Sequence, residues 1–200
     1  FWVADPAACE DRSHGKARLH AAVTLRQRRF FLPWVWHYDY ADRFDAAGNL
    51  LAILGDVATP EQAGQILDYI HGAGIDRPFP VRVLYPPIRP GDPDWREYYR
   101  VWNLNLPDHY HNGGIWPWVG GAYVAALVRC GRREEAQRQL VALAKSLNQG
   151  SSPGECNEWL HGVSGEAMGA KHQAWSAGMF LYAVHAVRTG CTPGLAADYP

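Results

Sequence analysis

Two short stretches of the sequence combine titratable side chains with aromatic rings, and the first of them contains Glu158. In the segment Gly154–Gly162, this glutamate stands between Asn157 and Trp159, with His161 three residues further on. Partial desolvation beside aromatic rings can adapt a carboxyl group to act as a catalytic acid or base. Glu158 is therefore a candidate catalytic carboxylate, and a solvated loop glutamate is the alternative.

The second stretch, His109–Trp118, holds two histidines, an amide, a glycine pair and three aromatic rings. It leads into Gly113–Val128, which has no charged side chain. Planar and hydrogen-bonding groups at the start of an apolar helix suit a polar ligand held at the mouth of an apolar framework. An aromatic-rich turn in the core is the alternative.

A pair of carboxyl groups can cleave a glycosidic bond, one as acid and the other as base or nucleophile. Besides Glu158, the acidic residues in an aromatic setting are Asp39, Asp42 and Asp45. They are candidates for the second carboxyl group or for contacts to sugar hydroxyls. Helix caps and salt bridges to Arg43 are the alternative roles.

Several other classes of site are disfavoured. The pair His109 and His111 lacks a nearby third ligand, so no metal is predicted, and no phosphate-binding glycine loop suggests a cofactor. A net charge of -1 gives no electrostatic case for nucleic acid or an anionic membrane, and no apolar run is long enough to cross one. The four cysteines form no C-x-x-C pair, which favours free thiols and a cytoplasmic location.

Helical hairpins are the elements expected to position these residues. Uncharged helices are predicted over Ala46–Gly55, Trp116–Val128 and Gln173–Val187, and the first two are followed by amphipathic helices, one starting at Thr59 and one over Arg132–Leu147. Such a repeat implies an inner and an outer layer of an all-α fold, an (α/α)6 toroid. Five helices amount to about half of a six-hairpin ring.

The predicted organisation is a single domain, 1–200, in which 1–24 is poorly defined apart from a short helix near Lys16–Gln27. Between the two hairpins, residues 75–112 contain seven prolines and are predicted to be a long irregular excursion. Loops of this length inside a compact domain usually have a function.

The motifs resemble those of the neutral/alkaline invertases, glycoside hydrolase family 100. Tyr110–Pro117 resembles the family signature Tyr-His-Asn-Gly-Gly-x-Trp-Pro, and Asn157–Gly162 is similar to its Pro-Glu-Tyr-Tyr-Asp-Gly segment. Further similar segments are Gly48–Leu54, Ala58–Gln62 and Gln173–Gly178. The similarities are collinear from about residue 25 to 188.

The resemblance implies a six-hairpin glycosidase that hydrolyses a glycosidic bond with inversion, with Glu158 as the general base. It also implies a set of sugar-binding residues: Asp42, Arg43, Tyr110, His111, Asn112, Trp116, Trp159, His161, Gln173 and Trp175. The family's general-acid aspartate lies in an upstream Asp-Ser-Gly-x-Trp-Trp segment, which this sequence lacks. We therefore expect a C-terminal portion of a longer enzyme.

The expected substrate is a small carbohydrate, either a sucrose-like α-glucoside or an α-1,6-glucoside. The second option arises because Asn-Glu-Trp-Leu-His-Gly differs from the corresponding invertase motif. Bacterial relatives with similar motifs include amylo-α-1,6-glucosidase and debranching-type enzymes. Two alternatives stay open. One is a carbohydrate-binding remnant without a general acid, and the other is a sugar epimerase with His109, His111 or His161 as proton carriers.

Overall fold

The computed structural model describes Trp2 and residues 15–25 and 28–194. Its α-helices are α1 Gly15–Thr24, α2 Ala46–Leu54, α3 Pro60–Ala73, α4 Pro117–Arg129, α5 Arg133–Ser146 and α6 Ala174–Thr189. A 3-10 helix spans Glu97–Asn103. Two small antiparallel sheets pair β1 Phe44–Asp45 with β2 Leu84–Tyr85, and β3 Trp159–Leu160 with β4 Ala167–Met168.

Helix α4 is the centre of the molecule, packing against α2, α5 and α6. Nearly all of its residues are buried, as an uncharged sequence predicts. The helices α2, α4 and α6, which carry no charged side chain before the last turn, form the inner layer. The amphipathic α3 and α5 lie outside them with one apolar face inward. The predicted all-α hairpin architecture is confirmed, and it forms part of a helical toroid.

The start of α3 is fixed by local chemistry. Thr59 Oγ1 accepts a hydrogen bond from Gln62 N, and Gln62 Oε1 accepts one from Thr59 N. This reciprocal capping box satisfies two otherwise unpaired N–H groups, and Pro60 occupies the first helical position where no N–H is needed. Gly74 ends the helix in the left-handed conformation, at φ 67°.

Close contact between α4 and α6 depends on Gly121. A Cβ atom at this position would lie 2.6 Å from the carbonyl oxygen of Met179. Gly120 in the same way faces the carbonyl oxygen of Pro80. Close backbone packing therefore leaves no room for a side chain at either glycine.

One side of α6 is exposed even though the helix carries few charges. Trp175 is 51% and Leu181 66% exposed, whereas Ser176, Ala183 and Ala186 are buried. Apolar inner faces open to solvent are expected for part of a ring. None of the described helices is both long and apolar enough to cross a membrane.

One prediction near the N-terminus agrees with the structure, and one further along the chain needs correction. The short helix expected near Lys16–Gln27 corresponds to α1, which buries Ala17, Ala21 and Ala22; residues 3–14, including Cys9, lie outside the described part. The excursion 75–112 also contains regular structure, namely β2 and the 3-10 helix. That 3-10 helix buries none of its residues, which is why periodicity gave no sign of it.

Candidate active site

Backbone pairing brings the two chemistry-bearing stretches together at the N-terminal end of α4. Ile115 N donates to Leu160 O at 2.8 Å, and Leu160 N donates to Ile115 O at 2.7 Å. Gly162 N also donates to Asp108 O at 2.8 Å. The stretch that precedes α4 is therefore joined directly to the β3–β4 hairpin.

Glu158 lies immediately before β3 and is held across this hairpin by Ala170. Its backbone N donates to Ala170 O at 2.8 Å, and its carboxylate Oε2 accepts from Ala170 N at 3.0 Å. The side chain is half-buried. One carboxylate oxygen is thus fixed by backbone, which leaves Oε1 to interact with water or a ligand.

A cavity of about 500 Å³ lies beside Glu158. Its walls are mostly aromatic or apolar, and its lining residues are Trp102, Asn103, Leu104, His109, Tyr110, Glu158, Trp159, Met168 and Gly169. Glu158 is the one carboxylate among these described lining residues. The arrangement places one carboxylate beside aromatic faces that suit a ring-shaped ligand.

Five lining residues were missed from the sequence, namely Trp102, Asn103, Leu104, Met168 and Gly169. Trp102 is 90% exposed at the cavity, and both it and Asn103 have positive φ angles, 58° and 51°. Gly169 is required because a Cβ atom there would lie 2.6 Å from Glu158 Oε2. Trp102 stands out in the sequence only as an aromatic residue of the excursion, and the sequence holds no signal for the other four.

An aromatic group on the other side of Tyr110 surrounds Trp116. The imidazole of His111 stacks on the Trp116 indole with 4.7 Å between centroids, and Trp175 lies 6.3 Å from Trp116. Trp116 Nε1 donates to Tyr110 O at 3.1 Å. The pKa of His111 is lowered. Burial is the larger cause, and the negative charge of Glu158 acts in the opposite direction with a smaller effect.

His109 and His161 form a second pair, edge to face, with 4.7 Å between ring centroids. His109 Nδ1 donates to Pro107 O at 3.0 Å because a carbonyl can only accept. His161 Nδ1 accepts from Val163 N and Ser164 N, at 3.3 and 3.1 Å, so its proton is on Nε2. Burial, followed by the charge of His109, lowers the pKa of His161 and favours a neutral imidazole.

The side chain of Asn112, which was predicted to contact a sugar, is hydrogen-bonded to backbone on three sides. Its side-chain amide donates to Ile88 O at 2.8 Å and to Asn105 O at 3.0 Å, while its oxygen accepts from Ile88 N at 2.6 Å. The residue is buried. Both amide hydrogens and the oxygen are therefore used to anchor the excursion beside the cavity.

Asp42 and Arg43, which were also predicted to contact a sugar, form ion pairs within the scaffold, and neither lines the cavity. Asp42 accepts two hydrogen bonds from Arg28, at 2.6 and 2.8 Å. Arg43 donates to Asp92 at 3.0 Å and to Asp94 at 3.2 Å, and its side chain is 12% exposed. Bidentate and multiple contacts of this kind fix loops.

The remaining members of the acidic cluster are not brought to Glu158 either. Asp45 caps α2, where its carboxylate accepts from Gly48 N at 3.2 Å and burial raises its pKa. Asp39 Oδ1 accepts from the backbone N of Tyr40. Neither residue lines the cavity, so neither supplies a second carboxyl group there.

Glu155 supports the loop that carries Glu158. Its buried carboxylate accepts hydrogen bonds from Ser151, Asn157 and Lys171. Led by the Ser151 hydrogen bond, these partners lower the pKa of Glu155 to about 2. The backbone of the next residue, Cys156, accepts from Gln173 N at 2.9 Å.

Gln173 and Trp175 lie at the start of α6. Gln173 is its N-cap residue, without a side-chain capping bond, and Trp175 lies in the first turn. Of the predicted sugar contacts, Tyr110 and Trp159 line the cavity with Glu158, and His111, Trp116 and Trp175 form the adjoining aromatic group. His161 contacts the cavity residue His109.

Comparison with known proteins gives consistent matches. A sequence model of the alkaline and neutral invertase family matches residues 37–189. Probable alkaline/neutral invertase D of Arabidopsis thaliana is 34% identical over 147 residues, covering 70% of this chain and 26% of that protein. Cytosolic invertase 1 of Oryza sativa subsp. japonica is 32% identical over 146 residues, covering 70% and 25%.

A solved structure shares the fold at low sequence identity. The mannosylglycerate hydrolase of family GH63 from Thermus thermophilus, in complex with Tris, superposes with a TM-score of 0.59 and 15% identity, covering 84% of this chain and 36% of that one. The present chain thus spans about a quarter of the length of the curated relatives it matches. The family match extends over both hairpins and over the cavity that holds Glu158, and this chain belongs to the alkaline and neutral invertase family, glycoside hydrolase family 100.

Proposed function

We propose that this chain carries the general-base side of an inverting glycosidase site for an α-glucosidic bond. The observation that supports this most is the placement of Glu158, with one carboxylate oxygen fixed by Ala170 N, at an aromatic-lined cavity. In this mechanism Oε1 of Glu158 takes a proton from a water molecule, which attacks the anomeric carbon opposite the leaving group. Aromatic faces at Tyr110 and Trp102 suit the apolar faces of a pyranose ring.

The leaving oxygen needs a proton from a second carboxyl group, separated from the base by about 6.5–9.5 Å in inverting enzymes. No second carboxylate lines the cavity among the described residues. The proposal therefore assigns the general acid to a residue outside this lining set. A sucrose-like α-glucoside is the first proposed substrate because the relatives are named invertases, and an α-1,6-glucoside is the second.

Hydrolysis of α-glucosyl fluoride tests the base without the acid, because fluoride leaves without protonation. We expect the 200-residue chain to release fluoride and the Glu158→Gln variant to be slower by about 10²–10⁴-fold, as for loss of a general base. Glu166→Gln is the matched control, an exposed glutamate in the same hairpin that does not line the cavity. Equal loss in both variants, or none in Glu158→Gln, would refute Glu158 as the base.

Assays with sucrose and isomaltose then separate the two substrates. Because cleavage of either sugar needs the general acid, the readout is calorimetric binding: saturable binding of sucrose alone supports the sucrose-like option, and saturable binding of isomaltose alone supports the α-1,6-glucoside. The product anomer, followed by NMR immediately after mixing, tests inversion. A β-glucose product is expected, and a first-formed α-anomer would contradict an inverting mechanism.

Carbohydrate binding without catalysis is the second candidate, favoured by the lack of a second carboxylate among the described residues at the cavity. Calorimetry with methyl α-glucoside distinguishes it from the first. Saturable binding, together with no fluoride release from α-glucosyl fluoride, would establish a binding module. Binding lost in Glu158→Gln but not in Glu166→Gln would place the ligand in this cavity.

A sugar epimerase is a third candidate because His109 and His161 are in contact. His161 Nδ1 already accepts two backbone N–H groups, so only its Nε2 can exchange a proton with a ligand. Epimerisation by proton transfer would incorporate solvent deuterium into the sugar, which NMR detects. Hydrolysis without deuterium in the sugar carbons would exclude this reaction.

A cytoplasmic location is also a proposal. Among the described cysteines, Cys130, Cys156 and Cys191 are free thiols. One relative is named as cytosolic, whereas others carry mitochondrial or chloroplastic in their names. Fractionation of the source cells with an antibody to the chain tests the proposal, and recovery in an organelle would overturn it.

A further inference from the structure

A separate cluster of metal-ligating side chains lies between the end of α3 and the outer helix α5. His71 is in the last turn of α3, Asp76 follows that helix, and Glu135 is in the first turn of α5. One ligand atom from each of the three lies within 4.8 Å of the others. None of them lines the cavity beside Glu158.

Asp76 is the most buried member, with 2% of its side chain exposed. Its Oδ2 accepts from Gln139 Nε2 at 3.1 Å and meets His71 Nδ1 at 3.3 Å. Its Oδ1 is buried and has no hydrogen-bond partner, and the nearest cation, Arg77 Nε, is 3.5 Å away on a side chain that is 67% exposed. A buried carboxylate oxygen without a hydrogen bond is costly unless something else compensates it.

Glu135 shares its nearest cation, Arg132, with another carboxylate. Arg132 Nη1 lies 3.7 Å from Glu135 Oε2, but its guanidinium is closer to Asp68 Oδ1, at 2.7 Å, and donates to Gly64 O at 3.0 Å. The Tyr123 hydroxyl donates to Glu135 Oε1 at 3.2 Å. Burial, followed by the charges of Asp76 and Glu135, raises the pKa of Tyr123, which agrees with a negative potential here.

Gln139 offers a further oxygen ligand. Its Oε1 is buried without a hydrogen-bond partner, although its Nε2 already contacts Asp76 Oδ2. Rotation of the amide group by a half turn would put Oε1 at the position that Nε2 has, beside the carboxylate. Two oxygens in contact repel each other unless a cation lies between them.

We propose that His71 Nδ1, a carboxylate oxygen of Asp76 and one of Glu135 bind a zinc ion, with Gln139 Oε1 or water completing the shell. Zinc takes imidazole nitrogen and carboxylate oxygen at about 2.0–2.2 Å, in a tetrahedral shell. The imidazole ligand favours Zn²⁺ over Ca²⁺ or Mg²⁺, which prefer all-oxygen shells. The ligand atoms already lie close enough that small side-chain rotations complete the site.

A zinc ion here joins the end of α3 to the start of α5, two outer helices that are distant in sequence. The ion therefore stabilises the outer layer and takes no part in the chemistry at Glu158. His71 is 63% exposed, so the ion can reach the site from solvent. The pair His109 and His111 is not part of this site. The sequence predicted no metal because His71, Asp76 and Glu135 show no ligand spacing in the sequence and come together only in the fold.

Calorimetric titration of the metal-stripped chain with zinc chloride tests the proposal. We expect one saturable site, and a loss of affinity of about tenfold or more in His71→Ala and in Glu135→Gln, as for loss of a coordinating interaction. Zinc at about 100 times its Kd should raise the Tm by about 5–10 °C for a chain of this size. Cobalt substitution should give the intense visible absorption of a tetrahedral site.

His185→Ala is the matched control, since His185 is an exposed histidine on α6 that lies outside the cluster. It should bind zinc as the parent chain does. Equal affinity in the parent chain and His71→Ala, or no zinc-dependent rise in Tm, would overturn the site and leave a network of ion pairs only. Tighter binding of Ca²⁺ than of Zn²⁺ would overturn the choice of metal. Because His71 is largely exposed, His71→Ala is expected to fold.

Discussion

The imidazole of His111 lies flat on the indole of Trp116, with 4.7 Å between ring centroids and planes 4° from parallel. Trp116 is itself held by its bond to Tyr110 O and is followed by Pro117, the first residue of α4. His111 is thereby fixed at the start of the central helix, within the electrostatic range of Glu158. A neutral imidazole in this position can accept or donate a hydrogen bond, and it forms no ion pair with the Glu158 carboxylate.

Acid should destabilise the protein through His111 and His161, whose pKa values burial lowers. Below about pH 6.5 the unfolded chain takes up protons on these rings while the folded chain does not, so the free energy of unfolding falls as the pH drops from 7 to 5. Urea unfolding at successive pH values measures this slope. His111→Gln should flatten it and His185→Gln, on the exposed side of α6, should not; an unchanged slope in both contradicts the prediction.

Replacing Asn112 with alanine should destabilise the fold and loosen the excursion. The change leaves the N–H and carbonyl of Ile88 and the carbonyl of Asn105 without their buried partner. We expect the free energy of unfolding to fall by about 2–4 kcal/mol, together with faster proteolysis between residues 88 and 105. Chemical denaturation and limited proteolysis measure the two effects.

Asn105→Ala is the control, because the Asn105 contact to Asn112 uses only backbone. A change within about 0.5 kcal/mol is expected there, as for most surface substitutions. If Asn112→Ala were equally mild, the amide would not anchor the excursion, and its assignment as a sugar contact would be restored.

Asn112 and Arg43 show where prediction from sequence stops. Their residue types suit a sugar site, but the partners that use them lie far along the chain: Ile88 is 24 residues from Asn112, and Asp92 and Asp94 are 49 and 51 residues from Arg43. No local pattern encodes such pairings. They are set by the path of an excursion whose 3-10 helix buries nothing and therefore has no periodic signal.

The helices were predictable because their signals are local. Thr59, Pro60 and Gln62 specify the start of α3 within four positions, and the capping box is present in the structure. Lack of charge along α4 predicted its burial correctly. For the candidate site, the motif match located Glu158 and its aromatic neighbours, whereas Gly169 could be identified only from the 2.6 Å approach of its missing Cβ to the carboxylate.

Adding a methyl group at Gly121 should be destabilising, although alanine is the better helix former. The new Cβ would lie 2.6 Å from Met179 O, in backbone that cannot move without separating α4 from α6. We expect Gly121→Ala to lower the free energy of unfolding by about 1–3 kcal/mol in chemical denaturation. Gly178→Ala on α6, where a Cβ meets nothing within 4 Å, should instead be neutral or stabilising by up to about 1 kcal/mol. Similar effects at both glycines would contradict the close helix contact.

Truncating Trp102 should weaken carbohydrate binding without changing stability. Its indole is 90% exposed, yet it lines the cavity that holds Glu158, and its backbone has a φ of 58°, which a non-glycine residue adopts at a cost. Because the side chain is mostly exposed, it contributes little to folding. We therefore expect the free energy of unfolding of Trp102→Ala to lie within about 0.5 kcal/mol of that of the parent chain. Loss of one stacking surface for a pyranose ring should weaken the binding of methyl α-glucoside by about two- to tenfold in calorimetry.

Tyr98 is the matched comparison for Trp102, being 65% exposed on the same 3-10 helix but outside the cavity lining. Tyr98→Ala should bind the glucoside as the parent chain does, and Trp102→Phe should recover part of the lost affinity because a smaller aromatic face remains. If Trp102→Ala and Tyr98→Ala behaved alike, general loosening of the excursion would explain any loss. A loss of affinity for methyl α-glucoside that is confined to Trp102→Ala would support binding in the cavity beside Glu158, since the side chains of Trp102 and Glu158 line the same cavity.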